Sequence, residues 1–381
     1  MESVSRRTLV VGAIGAAGAA AAVPLLAGCT PSAAAETPVP SAPAATPAPT
    51  PEPTPTATGD PRPRWPLTGE LLDDPKQAEH AVVAVKVPDN QGEHPQDGIN
   101  EADIVFVQLD GYPAGLYQSG TRLLPVFHSS FAPDVAPVRS IRPVDIPLLS
   151  PMEAVIGNTG AAGWTLKYFK KNGTALDFKR TYMATKGKSP KAYSIDGARV
   201  RTIKGQKYYD RAVVCHPENL AQHSKIVTTP QVLYFPFATG DEVPSTQTAG
   251  KPATSVSVPW KKGDAYNMGY SYSEKKEQYQ RSMPWGKHVL SDGTRVTTDN
   301  LLVILAKQHF AHKEPFHDIT GEEGDFYYFH GGAYVQGRWA KGTDVRSLFT
   351  FTLDDGSPLK MAVGRTFVEL PHTSAKVGIK A

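Results

Sequence analysis

Between Thr30 and Arg64 the chain is built from Pro, Ala, Thr, Ser and Glu and carries almost no large apolar residue. Such a segment cannot bury enough surface to offset the entropy of ordering it, so it forms no core of its own. Its Thr-Pro and Ala-Pro steps favour extended polyproline conformation at about 3.1 Å per residue, a reach approaching ~100 Å. The segment therefore reads as a spacer over residues 30–64. It divides the chain into a short leader, residues 1–29, and a folding head that opens at Trp65-Pro66-Leu67-Thr68-Gly69.

The leader pairs Arg6 and Arg7 ahead of an apolar, Ala- and Gly-rich run to Leu25, then ends in Leu26-Ala27-Gly28-Cys29. Paired arginines before a modest apolar run read as a twin-arginine export signal. The ending resembles a bacterial lipobox, in which Cys29 takes a diacylglycerol and becomes the first mature residue. The run is about long enough to span a bilayer. However, Pro24 and a small-residue ending without a cationic stop favour cleavage over an uncleaved anchor. The expected location is the extracytoplasmic face of the cell membrane, and the expected membrane contact is the lipid on Cys29.

About 315 residues remain for the head, enough for two domains with ordinary cores. Formal net charge is +3 and the basic residues are spread along the chain. A nucleic-acid partner would call for a concentrated basic face, so none is expected. With Cys29 lipidated only Cys215 is left, which excludes an intramolecular disulfide. Cys215 ends the apolar run from Ala212 and reads as a core strand residue rather than a nucleophile.

Continuous apolar, β-branched runs at Ala81–Val87, Ala102–Leu109 and Thr121–His128 predict buried strands. Val144–Leu149 predicts a helix start. Ala154–Asn158 predicts a strand, followed by a glycine turn and a short helix from Trp164. Beyond Gly240 the pattern changes. Ser255–Val258 alternates, and Tyr266–Tyr272 and Gln278–Met283 flank the polar Glu274-Lys275-Lys276 as a hairpin would. Leu301–Leu305, Phe326–Phe329, Ala333–Trp339, Leu348–Phe351 and Thr366–Leu370 follow as strands. The expected class is α+β, with a mixed α/β first domain over 65–235 and a mainly antiparallel β second domain over 236–381.

Asn100-Glu101-Ala102-Asp103-Ile104-Val105, Thr121-Arg122-Leu123-Leu124-Pro125-Val126-Phe127 and Ala136-Pro137-Val138-Arg139-Ser140-Ile141-Arg142-Pro143 resemble the first domain of the YerB-like lipoproteins (domain of unknown function 3048). Gly337-Arg338-Trp339-Ala340-Lys341, Asp354-Asp355-Gly356 and Gly364-Arg365-Thr366-Phe367-Val368-Glu369-Leu370-Pro371 resemble its C-terminal domain. The resemblance covers essentially the whole head and implies an extracytoplasmic two-domain lipoprotein, without implying a reaction. The chain departs from the family pattern after Ala102-Asp103-Ile104-Val105, where Val107 and Gln108 stand in place of acidic residues.

The strongest candidate site is the polar set Arg122, Arg139, Ser140 and Arg142 beside Glu101 and Asp103. Two guanidinium forks held close grip a carboxylate or phosphate bidentately. The reading that weighs more is structural, with Arg122 and Arg139 in ion pairs with Glu101 and Asp103 that fix loop to sheet. His309, His312, His317 and Asp318 carry metal-ligating groups, but on a strand an i, i+3 pair points to opposite faces. No metal and no cofactor is expected. Glu101, Asp103 and Asp110 supply carboxylates for glycan cleavage. The scarcity of convergent acid and base groups favours a non-catalytic head that binds a wall polymer or an envelope protein. The alternative is a peptidoglycan- or glycan-acting enzyme using the acidic residues near Asp103.

Overall fold

The continuous β-branched runs become the middle of a sheet. In the computed structural model, which describes residues 62–110, 120–178, 191–226, 230, 232–260, 266–312 and 314–381, the first run yields β1 (Val83–Val85) and the short β2 (Val87–Pro88). The next two yield β3 (Ile104–Leu109) and β4 (Thr121–Phe127), and β5 is Val155–Gly157. Every residue of β3 and β4 is buried. A sheet covered on both faces is why these stretches are apolar without alternation. Helices α1 (Asp145–Leu149), α2 (Gly163–Asn172) and α3 (Pro217–His223) accompany these strands. Two small two-stranded ladders complete this half. β6 (Tyr193–Ile195) pairs with β9 (Val213–Cys215), and β7 (Arg201–Ile203) with β8 (Gln206–Tyr208). Cys215 is fully buried on β9 and its thiol is pushed up by burial, as expected for a core residue.

The second half is built from strands. They run β10 (Lys251–Pro252), β11 (Ser255–Pro259), β12 (Asn267–Ser273), β13 (Gln278–Met283), β14 (Gly286–Lys287), β15 (Thr297–Thr298), β16 (Asn300–Ile304), β17 (Lys307–Ala311), β18 (Glu314–Asp318), β19 (Glu323–His330), β20 (Ala333–Lys341), β21 (Phe349–Leu353), β22 (Thr366–Glu369) and β23 (Gly378–Lys380). The order β14-β13-β12-β11-β23, with β15 beside β13, makes an antiparallel six-stranded sheet. Its period-two pattern buries Val256 and Val258, Met268 and Tyr270, then Tyr279, Arg281 and Met283, with less buried residues between them. The mainly β character expected of this half is what the structure has.

One strand departs from the antiparallel expectation. β22 lies parallel to β16 on one side and parallel to β3 on the other. It thereby joins both halves in one eleven-stranded sheet, in the order β10-β20-β19-β16-β22-β3-β4-β1-β5, with β21 beside β20 and β2 beside β4. A parallel neighbour must be reached by a crossover, so no short-range pattern announces it. The described residues form one compact unit, and Phe106, Leu124, Tyr279, Leu302 and Val368 belong to one continuous core. Helices are fewer and shorter than a mixed α/β first half led one to expect. The leader, Cys29 and the spacer up to residue 61 lie outside the described residues. Among the described residues no helix is long and apolar enough to cross a membrane.

Candidate functional site

The predicted polar set splits into three places. Arg122, on β4, and Arg142, just before α1, share the carboxylate of Asp110 at the end of β3. Arg122 Nε lies 2.5 Å and Arg142 Nη2 3.1 Å from Asp110 Oδ1. Arg142 Nε also meets Glu314 Oε2 of β18 at 2.9 Å. Beside them Lys86 Nζ donates to Asp145 Oδ1 at 2.9 Å and Gln108 Oε1 at 2.7 Å. Ser140 takes part through its carbonyl, which accepts from Arg122 Nη1 at 2.6 Å. All six charged groups are buried. Three cations stand against three carboxylates, so this cluster is neutral as built. Burial lowers Lys86 to about 8 and Arg122 to about 10. Burial opposes ionisation of Asp110 too, but Arg122 and Arg142 hold its carboxyl below the usual range.

Glu101 and Asp103 are elsewhere. Asp103 accepts from the backbone N–H groups of His128 and Ser129 at 2.7 and 2.8 Å and from the Ser129 hydroxyl. It thus ties the end of β4 to the entry of β3. Burial, resisted by those bonds to Ser129 and His128, raises it to about 6. Glu101 has an exposed side chain and lines a cavity with Asp97, Asp134 and Asp196, away from the three arginines. The expected ion pairs of Arg122 and Arg139 with Glu101 and Asp103 are not formed. The arginines have found other carboxylates, because pairing is set by the sheet and not by distance along the chain.

Arg139 enters the third place. Its backbone is pinned by Arg139 N–H to the Lys86 carbonyl at 2.8 Å and by Thr159 N–H to its own carbonyl at 3.1 Å. Its guanidinium bonds Glu93 and reaches Asp210 Oδ2 at 3.4 Å. Arg201 of β7 meets the same Asp210 oxygen at 2.6 Å, and Arg211 lies 3.4 Å from Glu93. Three guanidiniums share two carboxylates, and their side chains are 18, 37 and 31 % exposed. This cluster keeps a surplus positive charge at the surface. Arg201 and Arg211 were not singled out in the sequence; the only local signal is the run of charge around Tyr208–Arg211.

A fourth polar region was not foreseen at all. Asp89 and Arg281 lie 192 positions apart and form a bidentate pair at 3.2 and 2.7 Å. Asp89 also takes Thr121 Oγ1 at 2.7 Å and His94 Nε2 at 3.1 Å. Arg281 Nη1 stands 2.9 Å from His288 Nδ1, whose ring meets Gln96 Oε1 through Nε2 at 2.8 Å. A guanidinium only donates, so His288 Nδ1 accepts and the proton sits on Nε2. Burial, then Arg281, lowers this imidazole well below its usual value and keeps it neutral. Glu369 of β22 accepts from Trp260 Nε1 at 2.9 Å and from the Tyr270 hydroxyl. Burial raises it to about 7, against the pull of Arg281. Asp89, His94 and His288 cluster as metal ligands do. The lone pairs of Asp89 and His288, however, already receive Arg281, and a cation would face that guanidinium.

The histidines of the β17–β18 hairpin do not converge. His309 pairs with Asp318 at 3.0 Å on the exposed side. His312 lies against Trp164 at 4.8 Å, and His317 is buried on the other face, accepting from Leu109 N–H at 3.3 Å.

A parallel-bridged β fold with a short-helix flank, a neutral buried charge cluster and a surface arginine cluster defines an α+β protein. Residues 67–210 match the model for the N-terminal domain, and 256–368 that for the C-terminal domain, of the protein of unknown function DUF3048. The chain belongs to that family, as the sequence resemblance implied. It is similar to the Bacillus subtilis (strain 168) protein named "Putative lipoprotein YerB", 26% identical over 323 residues, covering 80% of this chain and 85% of the relative. In fold it is similar to the crystal structure of YerB from Bacillus subtilis, with TM-score 0.61 and 21% identity over 83% of this chain and 100% of that one.

Proposed function

We propose that this is a lipid-anchored head, tethered through Cys29 on the extracytoplasmic face of the membrane, that binds an anionic wall polymer without transforming it. The observation that carries this reading is the surface cluster of Arg139, Arg201 and Arg211 around Glu93 and Asp210, three cations for two carboxylates. A phosphate or carboxylate entering there completes the pairing, and guanidinium forks suit both. Arg122, Ser140 and Arg142 stand behind it as an internally paired brace. Glu101 and Asp103 take no part in the grip.

The enzyme alternative draws support from Asp103, whose carboxyl is raised to about 6. Its oxygens are nonetheless committed to His128 and Ser129, which leaves it poorly placed to pass a proton to a ligand. Incubating the full chain with purified wall fragments separates the two. Binding predicts co-sedimentation that weakens with salt and with Arg139→Ala, unchanged fragments, and an unchanged melting temperature. New soluble products would establish the enzyme. A lowered melting temperature with undiminished sedimentation would make Arg139 structural only.

A further inference from the structure

We propose that the groove between α2 and β18 is a binding site for an uncharged sugar ring of a glycan. The idea shares the wall-polymer part of the reading above but uses none of the arginine cluster. The groove holds about 260 Å³ and is walled by Tyr168 and Asn172 of α2, by Phe316 and His317 of β18, and by Thr320 and Glu322. That is a little below the ~300–1,000 Å³ of sites for drug-sized ligands, a volume for one ring rather than a long segment.

Its side walls are aromatic and half-buried. Tyr168 meets Phe316 edge-on at 5.7 Å, and both rings line the groove. Trp164, outside the lining, backs Phe316 by stacking on it at 5.9 Å and 24°. Such a platform takes the C–H face of a sugar, with its ring edge turned to polar groups.

Those polar groups are present and unspent. His317 is 4 % exposed. Its Nε2 accepts from Leu109 N–H at 3.3 Å, so the proton must sit on Nδ1. Nδ1 is buried and meets no acceptor in the protein. An unmet buried donor is costly, on the order of 1–3 kcal/mol, and calls for an oxygen partner. Asn172 spends its amide N–H on the Tyr168 carbonyl at 3.0 Å and keeps its oxygen. Donors and acceptors around an aromatic face match hydroxyl and amide groups on a sugar.

The acidic groups nearby are engaged. Asp318 bonds His309, and Glu322 pairs with Lys307 at 3.0 Å. Among the described residues no arginine or lysine lines the groove, which separates it from the arginine cluster and favours a neutral ligand.

The test titrates the full chain with a β-1,4-linked trisaccharide of N-acetylglucosamine, by calorimetry and by ¹⁵N-imidazole NMR. We expect saturable binding and a shift of the His317 Nδ1–H resonance. Tyr168→Ala and Phe316→Ala should each weaken binding tenfold or more, Tyr168→Phe should keep most of it, and Arg139→Ala should leave it unchanged. Should Tyr168→Ala or Phe316→Ala fail to fold, Asn172→Ala serves in its place, with a smaller loss expected. No saturable binding, an unmoved His317 resonance, or affinity indifferent to these variants would overturn the proposal. Sedimentation with wall fragments beside a silent groove would sink this site alone. Trisaccharide binding without salt-sensitive sedimentation would sink the arginine reading alone.

Discussion

The Asp89–Arg281 box and the Tyr168–His317 groove are both polar regions assembled from the two halves of the sequence, and they are finished in opposite ways. In the box each strong donor meets an acceptor. Arg281 reaches Asp89 and His288, and Thr121 and His94 fill the rest of the carboxylate. In the groove the buried imidazole N–H of His317 is left over. Buried polar groups that are fully paired specify how two segments fit, whereas a leftover donor marks where something else belongs. The difference teaches where to look for stability and where to look for a ligand.

The largest expected effect breaks the box. Arg281→Met leaves Asp89 buried without its fork and His288 Nδ1 without a donor. Stability should fall by about 3–5 kcal/mol, read as a shift of the denaturant midpoint. Adding Asp89→Asn should recover part of the loss, since an uncharged amide tolerates the site. A loss below about 1 kcal/mol would mean that the pair does not hold the halves together.

A second experiment sharpens the comparison with pH. Glu369 rises from 4.5 to about 7 on folding, so between those values the folded chain holds a proton that the unfolded chain has released. Glu369 by itself then adds stability as pH falls from about 8 towards 5, against His128, His288 and His317, whose burial keeps them neutral and takes stability away below about 6.5. Asp103, raised to about 6, adds in the same direction as Glu369. Asp89 acts oppositely. Burial pushes its carboxyl up, but Arg281 and His94 hold it far below 3.8, so its contribution is lost as pH drops below about 4. Relative to the unsubstituted chain, Glu369→Gln should lower stability at pH 5 against that at pH 8 by roughly 2 kcal/mol and leave the acid limb intact. An unchanged slope would place the proton elsewhere.

Much of the fold was legible, because buried runs and alternation are local signals. The Ala102–Leu109 run became β3, and Glu274-Lys275-Lys276 turned between β12 and β13. Val144–Leu149 became a helix. What escaped was long-range. Nothing around Thr366 says that it will lie between Asn300 and Ile104, and nothing near Asp89 names an arginine 192 positions away. The site suffered for the same reason. Arg139 stood out as a polar anchor in a structured loop, but its partners were sought in Glu101 and Asp103, near in sequence to β3. The topology gave it Glu93 and Asp210 instead. The β17–β18 hairpin was passed over because its histidines drew a metal reading. Gln308 and His317 face each other across it, and only the latter is buried.

The smallest expected effect tests whether burial, rather than pairing itself, separates the box from other ion pairs. Arg338 on β20 faces Asp325 of β19 across the ladder and bonds it at 2.5 Å, with Glu323 at 3.1 Å. On distance alone it outdoes Arg281. Its side chain is 54 % exposed, and both carboxylates are more so. Water already solvates all three groups in the unfolded chain and continues to do so in the folded one. Little is gained by the contact, and salt screens what there is. Arg338→Ala should therefore cost less than about 1 kcal/mol at low salt and nothing measurable at 1 M. If it cost as much as Arg281→Met, geometry alone would govern these pairs. The leftover donor of the groove would then lose the energetic argument that makes it a mark of a ligand.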